Sequence, residues 1–506
     1  MNENTYLSLD ATAMAQLIKQ KETTPKELAL LAYAQLDKVN DSIHAVTHQR
    51  MEQVMKAIAN IDPTYAPFSG VPILLKNISQ AIEGELLTSG SKLFQHSIAE
   101  QDSHFVRKIR EAGFSMLGHT NTPEFGLKNI TEPKLYGPTR NPWNLAYSPG
   151  GSSGGAAAAI AAGVVPLAGA SDGGGSIRIP ASFSGLFGLK PTRGRTPVGP
   201  GTGRQWHGAS IDFVLSRTVR DSAALLDVLQ VIQPAAAFQT PLYRAGYKQT
   251  LEQPLPKKLR IGYTTASPVG TPVSEDAKRA VKKVLHWLEG QGHLVEEVDN
   301  GVDGIQLMKD YYLMNSGEIA TLVEGLERSL GRSITAEDVE IETWVLNEAG
   351  KSVSAAAFSA SLASWDVAAA NMAAFHETYD FYVTPATAYT APKIGELTHS
   401  PESEALLQKE IATSDTVKKQ EVIWDMFLPS LTYTPYTQLA NLTGQPAMSV
   451  PVYTSEEGLP LGVQFMAPKG MEHQLLQLAY QMEQSDIWVG MKGNPYFEKQ
   501  QTYHQG

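Results

Sequence analysis

Residues 148–155, Ser-Pro-Gly-Gly-Ser-Ser-Gly-Gly, and residues 171–176, Ser-Asp-Gly-Gly-Gly-Ser, are two bunches of glycine and serine separated by a run of small apolar residues. A flexible linker has this composition, and so does backbone that must come very close to a reacting group. Gly150-Gly-Ser-Ser-Gly154 fits the G-x-S-x-G pattern of a nucleophile elbow, which any Gly/Ser-rich run satisfies easily. That elbow also needs an acid and a histidine further along. Of the twelve histidines none lies in a recognisable local motif, and His207 and His293 read as structural or surface residues. In Ser171-Asp-Gly-Gly-Gly-Ser176 the three glycines let successive N–H groups turn toward one point, because glycine tolerates unusual φ and ψ. Such a nest can hold an oxyanion, with Ser176 placed to attack the carbonyl whose oxygen the nest holds. A glycine turn without chemistry fits the same residues.

A serine nucleophile needs a base. Without a convincing histidine the next candidate is lysine, and a solvated lysine, with a pKa of about 10.4, is a poor base at neutral pH. Burial penalises the ammonium form and lowers that value. Lys76 ends the apolar stretch Val71-Pro-Ile-Leu-Leu75 and is therefore a candidate buried lysine; an ordinary strand-end surface lysine is the competing reading.

The elements that must position these groups alternate between strand, glycine turn and helix, which argues for an α/β architecture. Thr24-Pro-Lys-Glu27 is a helix start, with Thr24 as cap and Pro25 at the first position. That helix runs to about Val39, and a second amphipathic helix covers Arg50–Asn60. Strands are expected at 71–76, 115–118, 164–167, 259–263, 294–298, 381–385, 447–452 and 462–466. Helices are expected at 103–112, 156–163 and 274–289. Residues 240–256, with Pro241, Pro254 and Pro256, form a surface crossover, and 304–380 read as mostly helical. There is no internal repeat. Length alone suggests about three domains, but the pattern favours one large α/β unit carrying a helical insertion.

Composition narrows the function. The chain has 506 residues, 42% hydrophobic and 18% charged, which fits a globular protein with a large core. A net charge of −11 and no basic stripe argue against nucleic-acid binding. With no cysteine, disulfides, thiolate metal sites and cysteine nucleophiles are excluded. The N-terminus lacks a signal-peptide pattern, and the apolar stretch 156–170 is too short and too rich in Gly and Ala for a membrane span. These features predict a cytoplasmic protein with no membrane partner. No H-E-x-x-H, no paired-histidine motif and no G-K-[ST] loop point to a metal or a nucleotide.

Three segments together resemble the signature of the amidase signature family: Gly150–Gly155, Ser171-Asp-Gly-Gly-Gly-Ser-Ile-Arg-Ile-Pro180 and Gly185-Leu-Phe-Gly-Leu-Lys-Pro-Thr-Arg-Gly-Arg195. The likeness extends outside them, to Gly70–Asn77, Gly118–Phe125, Gly137–Trp143, Asn441–Pro451 and Leu459–Phe465. It covers nearly the whole chain and is weakest at 300–380. The resemblance implies a large mixed β-sheet flanked by helices on both faces in one large domain, residues 66–506, with residues 1–65 as an N-terminal helical segment packed on it. A mostly helical region, about 304–440, would shape the substrate site. It implies amide hydrolysis through an acyl-enzyme. Ser176 would be the nucleophile, Ser152 a bridging serine with a cis peptide bond, and Lys76 the base. Gly173, Gly174, Gly175 and Ser176 would supply oxyanion N–H groups, and Ser153, Asp172 and Arg178 would support the site. No metal or cofactor is implied, a small-molecule amide is the expected partner, and a homodimer, common in that family, is allowed. Gly173 stands where many members carry a larger residue, which predicts a wider acyl side of the pocket.

Within the family, Gly203–Phe213 and Glu421–Phe427 resemble the 6-aminohexanoate-cyclic-dimer hydrolases, which open cyclic amides. The alternative is the glutaminase component of glutamyl-tRNA(Gln) amidotransferase, whose Tyr-rich stretch upstream of the C-terminal block is absent here. A fatty-acid amide hydrolase reading lacks the N-terminal membrane helix. Tyr312, Asn315, Trp424 and Tyr436 are candidates for the pocket wall, with core packing as the competing reading of each.

Overall fold

The computed structural model describes residues 1–59, 62 and 65–498. Among the described residues lie eleven short strands: β1 (Val46–Gln49), β2 (Pro72–Lys76), β3 (Ser115–Thr120), β4 (Leu167–Asp172), β5 (Phe187–Lys190), β6 (Ile211–Ser216), β7 (Arg260–Tyr263), β8 (Leu294–Glu297), β9 (Phe381–Pro385), β10 (Ala447–Thr454) and β11 (Pro460–Met466). They form one mixed sheet in the order β1-β3-β2-β4-β6-β5-β10-β11-β9-β7-β8. β2 runs parallel to β3 and β4, while β4–β6, β5–β6, β5–β10 and β10–β11 are antiparallel. Strands and helices share one α/β domain.

Side chains alternate along a strand, so each face of β11 meets a different layer. Gly462 and Gln464 face the helix Arg178–Ser184, where a Cβ on Gly462 would stand 3.1 Å from Ser182 Cα. Leu461, Val463 and Phe465 enter the main apolar core with Val281, Val284 and Leu288 of the helix Glu275–Gly290. The sheet is thus covered on both faces. A second apolar cluster joins the helices Gly304–Leu330, Ile341–Gly350, Pro401–Thr413 and Thr416–Tyr433 through Ile319, Val323, Val345, Ile411, Ile423 and Phe427. Among the described residues no single helix is long and apolar enough to cross a membrane.

Local sequence accounts for most boundaries. Thr24 Oγ1 accepts from Glu27 N at 3.1 Å and starts the helix Pro25–Ile43, which buries Leu28, Ala32, Leu36 and Val39 on one stripe. Ser103 and Ser274 cap the helices that follow them in the same way. The helix expected at 50–60 spans Met51–Ile58, and Asn60 lies outside the described residues. Residues 1–65 are not wholly helical: β1 closes one edge of the sheet, antiparallel to β3. The strand expected at 164–167 begins only at Leu167. Pro166 has no N–H to give a ladder, and Val164 N closes the preceding helix on Ala159 O.

Candidate active site

The two glycine bunches meet at the end of β2 and β4. The helix Gly154–Ala161 between them is buried along its whole length, and its small residues allow backbone contact. A Cβ on Gly155 would lie 2.4 Å from Asn121 N and 2.6 Å from Ala45 O. The Gly151–Ser152 peptide is cis. Ser153 Oγ donates to Ser171 O and accepts from Ser171 N, both at 3.3 Å, stitching the first bunch to the end of β4.

Lys76, the last residue of β2, is fully buried. Its Nζ lies 2.8 Å from Ser152 Oγ and 2.9 Å from Ser171 Oγ. Burial lowers its pKa from 10.5 to about 7, against the opposing pull of the Asp212 and Asp172 charges. The amine is therefore largely neutral just above neutral pH, as a proton acceptor must be. Asp212 is itself buried, and burial raises its carboxyl to about 6 despite hydrogen bonds from Ser79 and Gln80 and the Lys76 charge.

Asp172 holds the second bunch in shape. Its carboxylate accepts from Gly175 N at 2.7 Å, Ile177 N at 3.2 Å and Asn441 Nδ2 at 2.8 Å, and pairs with Arg178 through two hydrogen bonds of 3.0 and 2.9 Å. Burial pushes this acid up, but the Arg178 charge and hydrogen bonds hold it at about 2. Arg178, also buried, reaches Thr437 O, Gln464 Oε1 and Asn441 Oδ1 at 2.7, 2.6 and 2.6 Å. Each charge is paired and hydrogen-bonded, the condition for burying it.

Among the residues expected to supply oxyanion N–H groups, Gly175 differs from its neighbours: its N–H donates to Asp172 Oδ1 at 2.7 Å. The N–H groups of Gly173, Gly174 and Ser176 donate to no protein acceptor among the described residues. Gly175 instead serves the turn: its φ is +131°, and Thr437 Oγ1 donates to Gly174 O at 2.7 Å beside it. Tyr311 OH donates to Gly173 O at 3.0 Å on the other side.

A cavity of about 520 Å³ opens onto Ser152, Ser171, Gly173, Gly174 and the half-buried Ser176. Its walls are mainly apolar, with Phe125, Leu127, Met308, Tyr312, Phe427 and Leu431, and with Asn129, Asn315 and Gln438 as polar points. Among the described residues no histidine lines it. His207 pairs with Glu318 at 2.8 Å, and His293 Nδ1 accepts from Leu259 N at 3.0 Å; both are structural. Of the four wall candidates, Tyr312 and Asn315 line the cavity, and Asn315 Oδ1 accepts from Trp206 Nε1 at 2.7 Å. Trp424 and Tyr436 do not. Trp424 lies on the same helix stripe as Phe427 and Leu431 but lines a different cavity, with Lys309 over its ring. Tyr436 OH donates to Thr265 O at 2.9 Å and borders a neighbouring cavity. Sequence reasoning did not find Ser171 as a second Lys76 partner, nor Tyr311, Asn441 and Asp212. Their roles arise from cross-chain contacts that no local pattern marks. Among the described residues no group of three or more metal-ligating side chains occurs.

Residues 27–476 match the amidase family model. The chain is 41% identical over 477 residues to a lipoamidase of Enterococcus faecalis, covering 94% of this chain and 63% of that protein's length. It is 36% identical over 491 residues to a 6-aminohexanoate-cyclic-dimer hydrolase of Paenarthrobacter ureafaciens, covering 96% of each. A solved structure of 6-aminohexanoate cyclic dimer hydrolase superposes with a TM-score of 0.86 at 35% identity, over 96% of this chain and 98% of that one. A buried lysine against two serines, a glycine-lined cavity beside them and this match over nearly the full length lead to one conclusion: the chain belongs to the amidase signature family and is a hydrolase of carboxylic amide bonds.

Proposed function

We propose that the chain hydrolyses amides through a Ser176–Ser152–Lys76 relay. The observation that carries this reading is the fully buried Lys76 amine, 2.8 Å from Ser152 Oγ at the floor of the cavity that Ser176 lines. Ser176 gives its proton to Ser152 as its Oγ attacks the amide carbon, and Ser152 passes its own proton to neutral Lys76. The carbonyl oxygen, now negative, takes the free N–H groups of Gly173, Gly174 and Ser176. Preorganised donors of this kind are worth about 10²–10³-fold in rate each. The proton returns from Lys76 through Ser152 to the leaving nitrogen, the C–N bond breaks, and the amine departs. Water then attacks the Ser176 ester by the same relay and releases the acid. Ser153, Asp172 and Arg178 keep the two loops in register.

The substrate we propose is an amide with a flexible apolar arm of several carbons, linear or cyclic. The apolar wall from Phe125 to Leu431 suits such an arm, and relatives are named for lipoamide and for the cyclic dimer of 6-aminohexanoate. A free amino acid such as glutamine suits it less. Among the described residues the basic side chain on the wall, Lys128, is paired with Glu342 at 2.8 Å. The helical region of about 304–440 shapes this specificity, through Met308, Tyr311 and Tyr312 on one helix and Phe427 and Leu431 on another. A cytoplasmic workplace and a homodimer belong to the same reading; cell fractionation and sedimentation velocity check them. The test of function is a panel of acetyl, hexanoyl and octanoyl amides, lipoamide, a cyclic oligoamide and glutamine, with wild type and Ser176→Ala. Turnover of the longer acyl amides that is lost in Ser176→Ala is expected. Turnover of glutamine alone, or turnover kept in Ser176→Ala, would overturn the reading.

A further inference from the structure

Beside the relay lies a buried ionisable group that it does not use, Asp212. When Lys76 takes the serine proton it becomes an ammonium in a fully buried site, and a buried charge without a counter-charge is costly. Two carboxylates face it, Asp172 and Asp212. Asp172 is spent: Arg178, Asn441 and two backbone N–H groups already hold it. Asp212 is not paired in this way. Among the described residues no Arg, Lys or His lies within ion-pair distance of it. Its side-chain donors are all neutral: Ser79 Oγ at 2.6 Å and Gln80 Nε2 at 3.2 Å on Oδ1, and the Gln205 amide.

Its position is fixed by the sheet. Asp212 on β6 is the direct cross-strand partner of Ser171 on β4. Partners opposite each other in an antiparallel pair point to the same face with Cβ atoms about 4.5–5.5 Å apart. Ser171 Oγ is one of the two groups that hold Lys76 Nζ, so Asp212 faces the amine from beside Ser171, with Ser152 as the amine's other partner. Gln80 locks the arrangement: its Oε1 accepts from Lys76 N at 2.9 Å while its Nε2 donates to Asp212 Oδ1.

We propose that Asp212 is the buried counter-charge of the Lys76 base, a positioning residue that stabilises the ammonium formed when Lys76 receives the serine proton. The inference rests on the reading of Lys76 as base. No proton moves to Asp212: it stays ionised while the proton travels from Ser176 to Ser152 to Lys76 and back to the leaving nitrogen. Its charge acts in two opposite directions. It favours the ammonium, so it raises the pH at which Lys76 becomes competent, and it lowers the cost of proton transfer once Lys76 is neutral. Burial of Lys76 alone would give a base competent at lower pH but too weak to take the proton.

The test is the pH dependence of kcat and KM for a chromogenic hexanoyl anilide, with the full chain as wild type, Asp212→Asn, Asp212→Glu and Lys76→Ala. In Asp212→Asn the acid limb should move to lower pH by about one unit or more. The plateau kcat should fall about 10–100-fold with KM within twofold, and Asp212→Glu should return the limb toward its wild-type position. A folded Asp212→Asn enzyme whose acid limb stays in place or moves up overturns the proposal, as does one with no turnover at any pH. If Asp212→Asn does not fold, Asp212→Ser makes the same neutral test. Lys76→Ala separates the two levels: retained activity there overturns the base and this inference together, whereas a dead Lys76→Ala beside an unmoved Asp212→Asn limb overturns only the role of Asp212.

Discussion

Adding a single methyl group at Gly175 should disable the site. A Cβ there would stand 2.1 Å from Thr437 Oγ1 and 2.7 Å from both Thr437 Cβ and Ile179 Cδ1. Thr437 cannot swing away freely, because its hydroxyl donates to Gly174 O. An ordinary carbon–oxygen contact needs more than 3 Å, so the 173–176 loop must shift by about 1 Å, a displacement that costs on the order of 10²-fold in rate when it moves reacting groups. The backbone, at φ +131°, adds strain of about 1–3 kcal/mol for any residue with a side chain, and loss of the Thr437 hydrogen bond adds about 1 kcal/mol. Gly175→Ala should therefore lose about 2–4 kcal/mol in denaturant melts and about 100-fold in kcat on the hexanoyl anilide. Gly173→Ala is the control. Its nearest neighbour would be Ser210 Cβ at 3.5 Å, ordinary contact, so stability should change by less than about 0.5 kcal/mol. Wild-type stability and turnover in Gly175→Ala, or an equal loss in Gly173→Ala, would refute the reasoning.

Three further outcomes follow from the same geometry. Lys76→Met should be inactive yet more stable: the fall of the Lys76 pKa from 10.5 to about 7 means the unfolded chain binds the proton more tightly, a penalty full below pH 7 that vanishes as pH rises to 10.5. The net gain at neutral pH should be about 3 kcal/mol after the lost serine hydrogen bonds, and a gain that does not shrink in melts between pH 7 and 10 would contradict it. Asp172→Ala leaves the Arg178 charge buried and unpaired, so unfolding should show a loss of about 3–5 kcal/mol, with Arg178→Ala comparably costly. Gly173→Ile should lower kcat/KM more for octanoyl than for acetyl amides, because position 173 lines the cavity; an equal effect on both would remove Gly173 from the acyl side.

What the sequence makes legible are features encoded locally. The apolar run before Lys76 announces its burial, and caps such as Thr24, Ser103 and Ser274 mark helix starts within a residue of where they begin. The glycines of 173–175 announce a turn that exposes N–H groups, but not which of them is free. That depends on Asp172 folding back onto Gly175 N, which composition does not encode. Ser171 and Asp212 are invisible as a pair because the register of β4 against β6 brings them together. Trp424 misleads for a related reason. Helical periodicity gives the angle of a side chain about the axis but not which of two neighbouring cavities that side chain lines. Pro166 was available as a signal, since a residue without N–H rarely sits within a strand interior, and it explains the late start of β4.

In the proposed relay Ser176 becomes acylated, with Lys76 as the source of its activation. The most direct measurement is peptide mapping by mass spectrometry after brief reaction with a serine-directed fluorophosphonate at pH 8, on wild type and Lys76→Ala side by side. One label per chain is expected in wild type, on the peptide bearing Ser176, with labelling slowed at least about 100-fold in the folded Lys76→Ala protein. A label on Ser152 or elsewhere, or equal labelling of both proteins at Ser176, would contradict the relay.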